Sequence, residues 1–205
     1  MLAKVVHRAS AVFISIFVLI HLLNHVWGVL GAEDHINMMN NLRVYYRNSV
    51  AEMLLLASVV IQMISGIKLC VLNKTQTKTS SEKLQQWTGL YLLFFLVIHV
   101  SAVLGARLLF HLDTNYYFGV AGINTFPLNL FFIPYYTLAI ISFFGHIATI
   151  HSKKIKQNIF GLTPAEQSTI ILILGGCLTV IIFYGLTNHF HGVEIPKEYN
   201  VLIGK

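Results

Sequence analysis

Histidine is the side chain in this sequence whose number and placement could do chemistry. The chain has 205 residues and ten histidines, although only 11% of its residues are charged. His21, His99 and His146 stand inside long apolar runs, where an ionisable side chain is costly and usually faces the interior of a helix bundle in a functional role. Neutral imidazole is a ligand for transition metals and for haem iron. These three histidines are therefore the first candidates for a cofactor site.

The composition places these histidines in a membrane protein. Apolar residues make up 56% of the chain, and its charged fraction is less than half of the ~25% that is usual for a soluble domain. The formal net charge is +6, but the basic residues are scattered between apolar runs and form no dense basic face, so we expect no nucleic-acid partner. Cys70 and Cys177 lie far apart in apolar segments, which makes a disulfide framework improbable.

Five apolar stretches are long enough to cross a bilayer, which takes about 20 helical residues. Backbone amides inside lipid must be paired within their own segment, so each stretch is predicted to be a helix. The first is interpreted as a retained helix because it is long for a signal peptide and carries two histidines. The sequence thus predicts an all-α integral membrane bundle in one domain, 1–205. Its five helices are expected at about 9–29, 50–72, 87–110, 128–150 and 170–186.

The basic residues predict the orientation of the bundle. Nine of the fourteen fall on the side that holds the N-terminus, and five fall on the opposite side. By the positive-inside rule the N-terminus is expected inside and the C-terminus outside. The nine on the first side are Lys4, Arg8, Lys68, Lys74, Lys78, Lys83, Lys153, Lys154 and Lys156.

Two of the deep histidines are expected at the same depth. Counted from the inner helix ends at ~1.5 Å per residue, His21 lies roughly 20 Å and His99 about 18 Å from the inner boundary. His146 lies only about 10 Å from it, in a lower layer. A level pair of histidines on separate helices is the arrangement that bis-imidazole ligation of haem iron requires. The alternative for each histidine is a polar contact with a neighbouring helix.

Short motifs around these histidines resemble a known family. The runs are HRAS (7–10), IFVLIHLLN (16–24), QQWTGLYLLFFLVIHV (85–100), GHIATIHSKK (145–154) and GLTPAEQ (161–167). Together they resemble the five-helix, di-haem cytochrome b anchor subunit of succinate dehydrogenases and fumarate reductases. The resemblance implies haem b, a quinone, and flavoprotein and iron-sulfur partner subunits that carry the dicarboxylate chemistry. It also implies a cell inner membrane or a mitochondrial inner membrane, and a chain that is not an enzyme alone.

One position departs from the family pattern. There the second helix supplies a histidine four residues before a glycine, as partner to the ligand on the fourth helix. Here Gln62 stands four residues before Gly66, and an amide is a poor ligand for haem iron. The resemblance therefore implies one retained haem, at His21 and His99, and a doubtful second site at His146. That site is expected to be five-coordinate, to borrow His7 or His151, or to be empty with His146 hydrogen-bonded to Gln62.

The outer end of the bundle offers further polar candidates. Hydrogen-bond donors for quinone carbonyls are His25, Asn24, Arg43, Arg47 and Trp27.

A metal site is the other hypothesis for the outer end. His189 and His191, in the run NHFHG, are two imidazoles that could share Zn or Cu. The alternative function is accordingly a haem-free or metal-binding five-helix membrane protein that acts as a scaffold or a carrier.

Overall fold

The computed structural model describes residues 2–72 and 79–205, and the regular secondary structure in that part of the chain is helical, apart from one isolated β-bridge between Ile159 and Leu162. Lys74 and Lys78, which enter the orientation argument, lie outside the described residues. The helices are α1 (Leu2–Trp27), α2 (Ala32–Tyr46), α3 (Ser49–Leu72), α4 (Ser80–Leu108), α5 (Tyr116–Val120), α6 (Asn129–Lys154) and α7 (Pro164–Leu186). Two 3-10 helices, Gly28–Leu30 and Lys197–Ile203, complete the described fold.

The prediction of five membrane-spanning helices is confirmed at the level of length and composition. Helices α1, α3, α4, α6 and α7 are each long and apolar enough to cross a bilayer. They carry leucine, isoleucine, valine and phenylalanine on their outward surfaces as well as inward, as lipid-facing helices do. The side of the membrane on which each terminus lies remains a prediction.

Helix bounds differ from the predicted ones mainly at the N-terminal ends. Helix α4 begins at Ser80 and not near Trp87, and α7 begins at Pro164 and not near Ile170. Both starts are capping boxes, in which Thr79 and Thr163 exchange hydrogen bonds with the glutamate three residues later. Hydropathy finds the part of a helix that lies in lipid, whereas the cap determines where the helix starts. Helix α1 likewise begins at Leu2, seven residues before the predicted start.

The spanning helices are arranged in a ring. Helix α3 packs on α1, α1 on α7, α7 on α6 and α6 on α4, while α3 and α4 touch only lightly. The densest core lies between α1, α6 and α7, around Leu22, Ile140 and Ile182. Helices α3 and α4 have only two buried residues each in their described lengths. The bundle is therefore tight on one side and open along the α3–α4 seam.

The outer ends of α1 and α7 meet at glycines. A Cβ atom on Gly185 would lie 2.6 Å from the backbone carbon of Gly28 and from the backbone nitrogen of Val29. Only glycine allows this backbone approach, which holds α7 against the end of α1. The Tyr116 hydroxyl donates a hydrogen bond to the Gly185 carbonyl at 3.0 Å and ties α5 to the same junction.

Ion pairs join the outer segments. Arg43 on α2 lies 2.8 Å from the Asp113 carboxylate, with Arg47 at 3.5 Å, so the connection after α4 is held against α2. Partial burial alone would raise the pKa of Asp113, but hydrogen bonding and positive charge from Arg43 and Arg47 outweigh it and hold the pKa below its usual value. Arg107 on α4 forms a bidentate pair with Glu52 on α3, which closes the outer end of the seam.

Candidate functional site

His21 and His99 meet inside the bundle, as the depth estimate predicts. They come from α1 and α4, and their ring centroids are 6.2 Å apart. The Phe17 ring stacks on His21 at 5.7 Å, and the Phe95 ring stacks on His99 at 4.9 Å. Each phenylalanine lies four residues before its histidine, so helical spacing alone puts it against the imidazole. The two rings are thus positioned by their own helices.

The spacing of this pair fits a metal atom between two imidazoles. A metal-to-imidazole bond is about 2.0–2.1 Å. Two such bonds, together with the distance from each bound nitrogen to the centroid of its ring, put the two centroids about 6 Å apart. The observed centroid separation agrees with that value. Both ligands are neutral nitrogen donors in apolar surroundings, a donor set that haem iron accepts. The donor set and the centroid separation therefore fit a bis-imidazole haem, provided that His21 Nε2 turns away from His25 Nε2, which lies 3.2 Å from it.

A row of imidazoles continues from this pair toward the outer end. His25 Nε2 lies 3.2 Å from His21 Nε2, and His35 Nε2 lies 3.3 Å from His25 Nδ1. The Asn24 side chain donates to His35 Nε2 at 3.2 Å. His35 is one of the histidines expected near the outer end, but its place in this row was not predicted, because its helix, α2, is too polar to appear in a search for apolar runs. Glu33 and Asp34 are the sequence signal that could have indicated helix α2, because acidic residues are typical of the first turn of a helix.

His35 is almost fully buried, with 2% of its surface exposed. Burial, with smaller effects of the neighbouring His21 and Arg43, lowers the pKa of its imidazole to about 4. Its Nδ1 atom and the Asn24 Oδ1 atom are buried and have no hydrogen-bond partner within the described residues. His35 is thus held in the neutral form at physiological pH.

The five predicted quinone residues lie at the outer end, and four of them contact protein groups. Asn24 bonds to His35, and His25 stands between His21 and His35. Arg43 and Arg47 pair with Asp113. Trp27 ends α1 and is half-buried. Their role toward a quinone stays a prediction.

His146 is oriented by groups on α4. Its Nδ1 atom lies 3.1 Å from the Gln85 carbonyl and 3.2 Å from the Thr88 hydroxyl. A carbonyl can only accept, so Nδ1 carries the proton and Nε2 keeps its lone pair. Gly89 faces the same ring, since a Cβ there would lie 3.2 Å from His146 Cε1. One imidazole nitrogen is therefore available in this inner layer.

The residues opposite His146 bond to one another instead. Gln62 donates to His7 Nε2 at 3.2 Å, and its carbonyl oxygen accepts from the Ser10 hydroxyl at 2.6 Å. Ser65 gives its proton to the Ile61 carbonyl and accepts from His7 Nδ1 at 2.9 Å. Both ring nitrogens of His7 are thus in use, and Gln62 pairs with His7 and not with His146.

His151, the other reserve ligand, lies on the same helix as His146, five residues later, so the two imidazoles cannot face each other across a ring. Its Nε2 atom donates to the Gln167 side chain at 2.8 Å. Neither His7 nor His151 thus offers His146 an opposing imidazole. The residues of the inner layer do not fit a second bis-imidazole haem.

The outermost histidines are exposed and bond to backbone. His189 Nε2 donates to the Val29 carbonyl at 3.0 Å, and His191 Nδ1 donates to the Asn188 carbonyl at 3.2 Å. Across residues 2–72 and 79–205, no group of three or more histidine, cysteine, aspartate or glutamate side chains is placed to hold a metal ion. A shared metal at His189 and His191 has no third such ligand in that part of the chain.

The chain matches no family model, no curated protein and no solved structure. The resemblance to the cytochrome b anchors therefore stands on the short motifs alone.

Proposed function

We propose that this protein is a membrane-embedded haem b subunit that exchanges electrons with a quinone. The observation that carries the proposal is the pairing of His21 and His99, whose centroid separation of 6.2 Å fits one metal atom between the rings. The motif resemblance supports the rest: partner flavoprotein and iron-sulfur subunits would perform the dicarboxylate chemistry, and this chain would be their anchor in an inner membrane.

The chain's own residues would hold the haem and keep its ligands fixed. His21 and His99 would each supply one imidazole nitrogen to the iron, and the stacked Phe17 and Phe95 rings restrict rotation of the imidazoles. A haem bound there would carry one electron at a time. Tyr136, whose ring lies 6.4 Å from His99, adds a further aromatic contact to that imidazole.

A single haem is proposed. His146 has no opposing imidazole, because Gln62 and Ser65 use both nitrogens of His7 and His151 lies on the same helix as His146. His146 would then act as a polar tie between α6 and α4, through Gln85 and Thr88. Electron transfer in this protein would accordingly not need a haem in the inner layer.

Haem content of purified variants tests the proposal. The wild-type protein, expressed with sufficient haem, is expected to show a haem b band in reduced-minus-oxidised spectra. His21→Ala and His99→Ala should each lose most of it, because one remaining imidazole binds the iron weakly. His111→Ala, at an exposed histidine outside the spanning helices, is the matched control and should keep wild-type haem. Full haem in both ligand variants would refute this assignment.

Elemental analysis distinguishes the haem-free alternative from the haem proposal. A scaffold or carrier that holds a metal ion would contain stoichiometric Zn or Cu without iron after purification in the absence of chelators. Under the haem proposal, the iron content of each variant should be proportional to its haem absorbance.

A further inference from the structure

The connection between α6 and α7 contains a tight turn with an unusual backbone. Ile159 and Leu162 exchange two backbone hydrogen bonds, at 3.1 and 3.0 Å, and only Phe160 and Gly161 lie between them. Both central residues have positive φ angles, 51° and 78°, as in a type I′ turn. Glycine and asparagine favour this conformation, whereas phenylalanine, with its Cβ atom and bulky ring, does not. The turn thus holds an aromatic residue in a conformation that the residue itself disfavours.

Packing within the described residues does not compensate for this conformation. The Phe160 side chain is 98% exposed, and Ile159 beside it is 42% exposed. The two apolar side chains stand on the connection between helices that are long and apolar enough to cross a bilayer. A contact that buries the Phe160 ring therefore has to come from outside residues 2–72 and 79–205.

Buried hydrogen bonds hold the turn against the bundle. The Gln167 side chain, only 8% exposed, donates to the Leu162 carbonyl at 2.8 Å and to the Gln157 carbonyl at 3.2 Å. Its oxygen accepts from His151 on α6 at 2.8 Å. One glutamine of α7 thus ties both arms of the connection to the helix ends. Phe160 accordingly has a defined place beside them.

The connection begins and ends at the level of the lipid headgroups. The apolar part of α6 ends at Ile150, and that of α7 begins at Ile170. At ~1.5 Å per residue, the helix ends at Lys154 and Pro164 lie about 6 Å and about 9 Å beyond these points. The headgroup layer on each side of the hydrocarbon core is about 5–8 Å thick. A phenylalanine on this connection is therefore within reach of the boundary between headgroups and acyl chains.

Lysines precede the apolar turn on the same connection. Lys153, Lys154 and Lys156 are all exposed. Lys153 pairs with Glu82 at 3.0 Å, and the Glu166 carboxylate is engaged in the capping box of α7. Lys154 and Lys156 form no ion pair within the described residues. Two available ammonium groups beside an apolar ring match the phosphate and the acyl chains of an anionic lipid.

We infer that the turn Ile159–Leu162 inserts Phe160 into the bilayer surface, and that Lys154 and Lys156 bind the headgroup of an anionic phospholipid there. A protein partner matches the turn less well. Two exposed apolar side chains fall far short of the roughly 800 Å² that each side of a stable protein interface buries. The lipid site goes beyond the proposed function, and it requires neither a haem nor a quinone.

Fluorescence of a tryptophan in the turn tests the insertion. Phe160→Trp is made in the full-length protein with Trp27→Phe and Trp87→Phe, and it is reconstituted in phosphatidylcholine vesicles that contain phosphatidylglycerol. Its emission should be blue-shifted, quenched by brominated lipid and protected from acrylamide. Glu33→Trp in the same background is the control, because Glu33 is an exposed acidic residue in the first turn of α2. Acrylamide should quench that variant.

Two results of this measurement would overturn the inference. Acrylamide quenching of Phe160→Trp as strong as that of Glu33→Trp would place the turn in water. Protection from both acrylamide and brominated lipid would mean that protein, and not lipid, covers the ring.

The same tryptophan measures the choice of lipid. At equal small mole fractions, brominated phosphatidylglycerol should quench Phe160→Trp at least as if it bound about fivefold more tightly than brominated phosphatidylcholine, the factor for one lysine at an anionic surface. Adding Lys154→Gln and Lys156→Gln should abolish the difference. The same charge change at the opposite end, Lys197→Gln with Lys205→Gln, should preserve it. Equal quenching by the two lipids before the lysines are changed would overturn the anionic site, and so would a preference that survives Lys154→Gln with Lys156→Gln.

Discussion

Individual residues decide which of the two histidine layers can hold a cofactor. In the outer layer His21 and His99 meet ring to ring, and their stacked neighbours are other aromatic rings. In the inner layer a single glutamine provides both a donor to His7 and an acceptor for Ser10, which satisfies the polar groups within the protein. The chemical capacity of the two layers differs because Gln62 can hydrogen-bond but is a poor iron ligand.

Gln62 is expected to stabilise the inner layer without affecting haem. Gln62→Ala leaves His7 Nε2 without its donor, while the Ser10 hydroxyl keeps its bond to the Val6 carbonyl, and a lost hydrogen bond to a buried group costs about 1–3 kcal/mol. The midpoint of thermal unfolding in detergent should therefore fall, while haem per chain stays at the wild-type value. Loss of haem in this variant would contradict the account, because it would place a ligand network in the inner layer.

His35 predicts a pH dependence of stability. Its pKa is about 4 in the folded protein and about 6.5 when unfolded, so below pH 6.5 the unfolded chain binds a proton that the folded protein does not. The free energy of unfolding therefore decreases as the pH falls from 6.5 toward 4. Above pH 6.5 this imidazole causes no change in it.

Thermal unfolding in detergent at pH 7.5 and pH 5.5 measures the effect. The wild-type midpoint should fall at the lower pH, and His35→Gln should show a smaller fall. His111→Gln, at an exposed histidine, should fall as the wild type does. An identical fall in the wild type and in His35→Gln would show that this imidazole is not held neutral.

Helices position the outer site through close backbone approach as well as through side chains. Helix α7 can lie against the end of α1 because Gly28 and Gly185 have no Cβ atoms in the way. His25 and Trp27 lie in the last turn of that α1 end, and His21 is one turn earlier. The geometry of the imidazole row therefore depends on a helix crossing that no histidine takes part in.

Two glycines on α7 test this packing. Gly185→Ala puts a Cβ atom 2.6 Å from α1 backbone and should destabilise the protein by about 1–3 kcal/mol, as overpacking does. Gly176→Ala, which meets nothing within 4 Å, should leave the unfolding midpoint unchanged or slightly higher. Equal midpoints for the two variants would mean that the α1–α7 contact is not tight.

At the scale of the whole molecule, the sequence predicts the spanning helices better than it predicts the contacts between helices. Five spanning helices and the equal depth of His21 and His99 follow from hydropathy and from rise per residue. Helix α2 could not be found in this way, because a polar helix outside the lipid has no apolar run, and the burial of His35 against His25 was missed with it. The bonding of Gln62 to His7 could not be predicted either, since it depends on the rotation of α3 against α1.

The orientation of the molecule remains a prediction from basic residues, and cysteine labelling measures it. Lys154→Cys and Lys197→Cys, each made in a chain without Cys70 and Cys177, would be treated in intact spheroplasts with a membrane-impermeant thiol reagent. With the N-terminus inside, Cys at 197 should react and Cys at 154 should react only after permeabilisation. The reverse pattern would place the bundle the other way round.

The most direct test of the central claim is the haem content of the wild-type protein. Pyridine extraction, calibrated against protein concentration, gives haem per chain for material expressed with sufficient haem. One haem b per chain is expected, held by His21 and His99, and it should persist in His146→Ala. A wild-type protein without haem would contradict the account, and so would two haems per chain with one lost in His146→Ala.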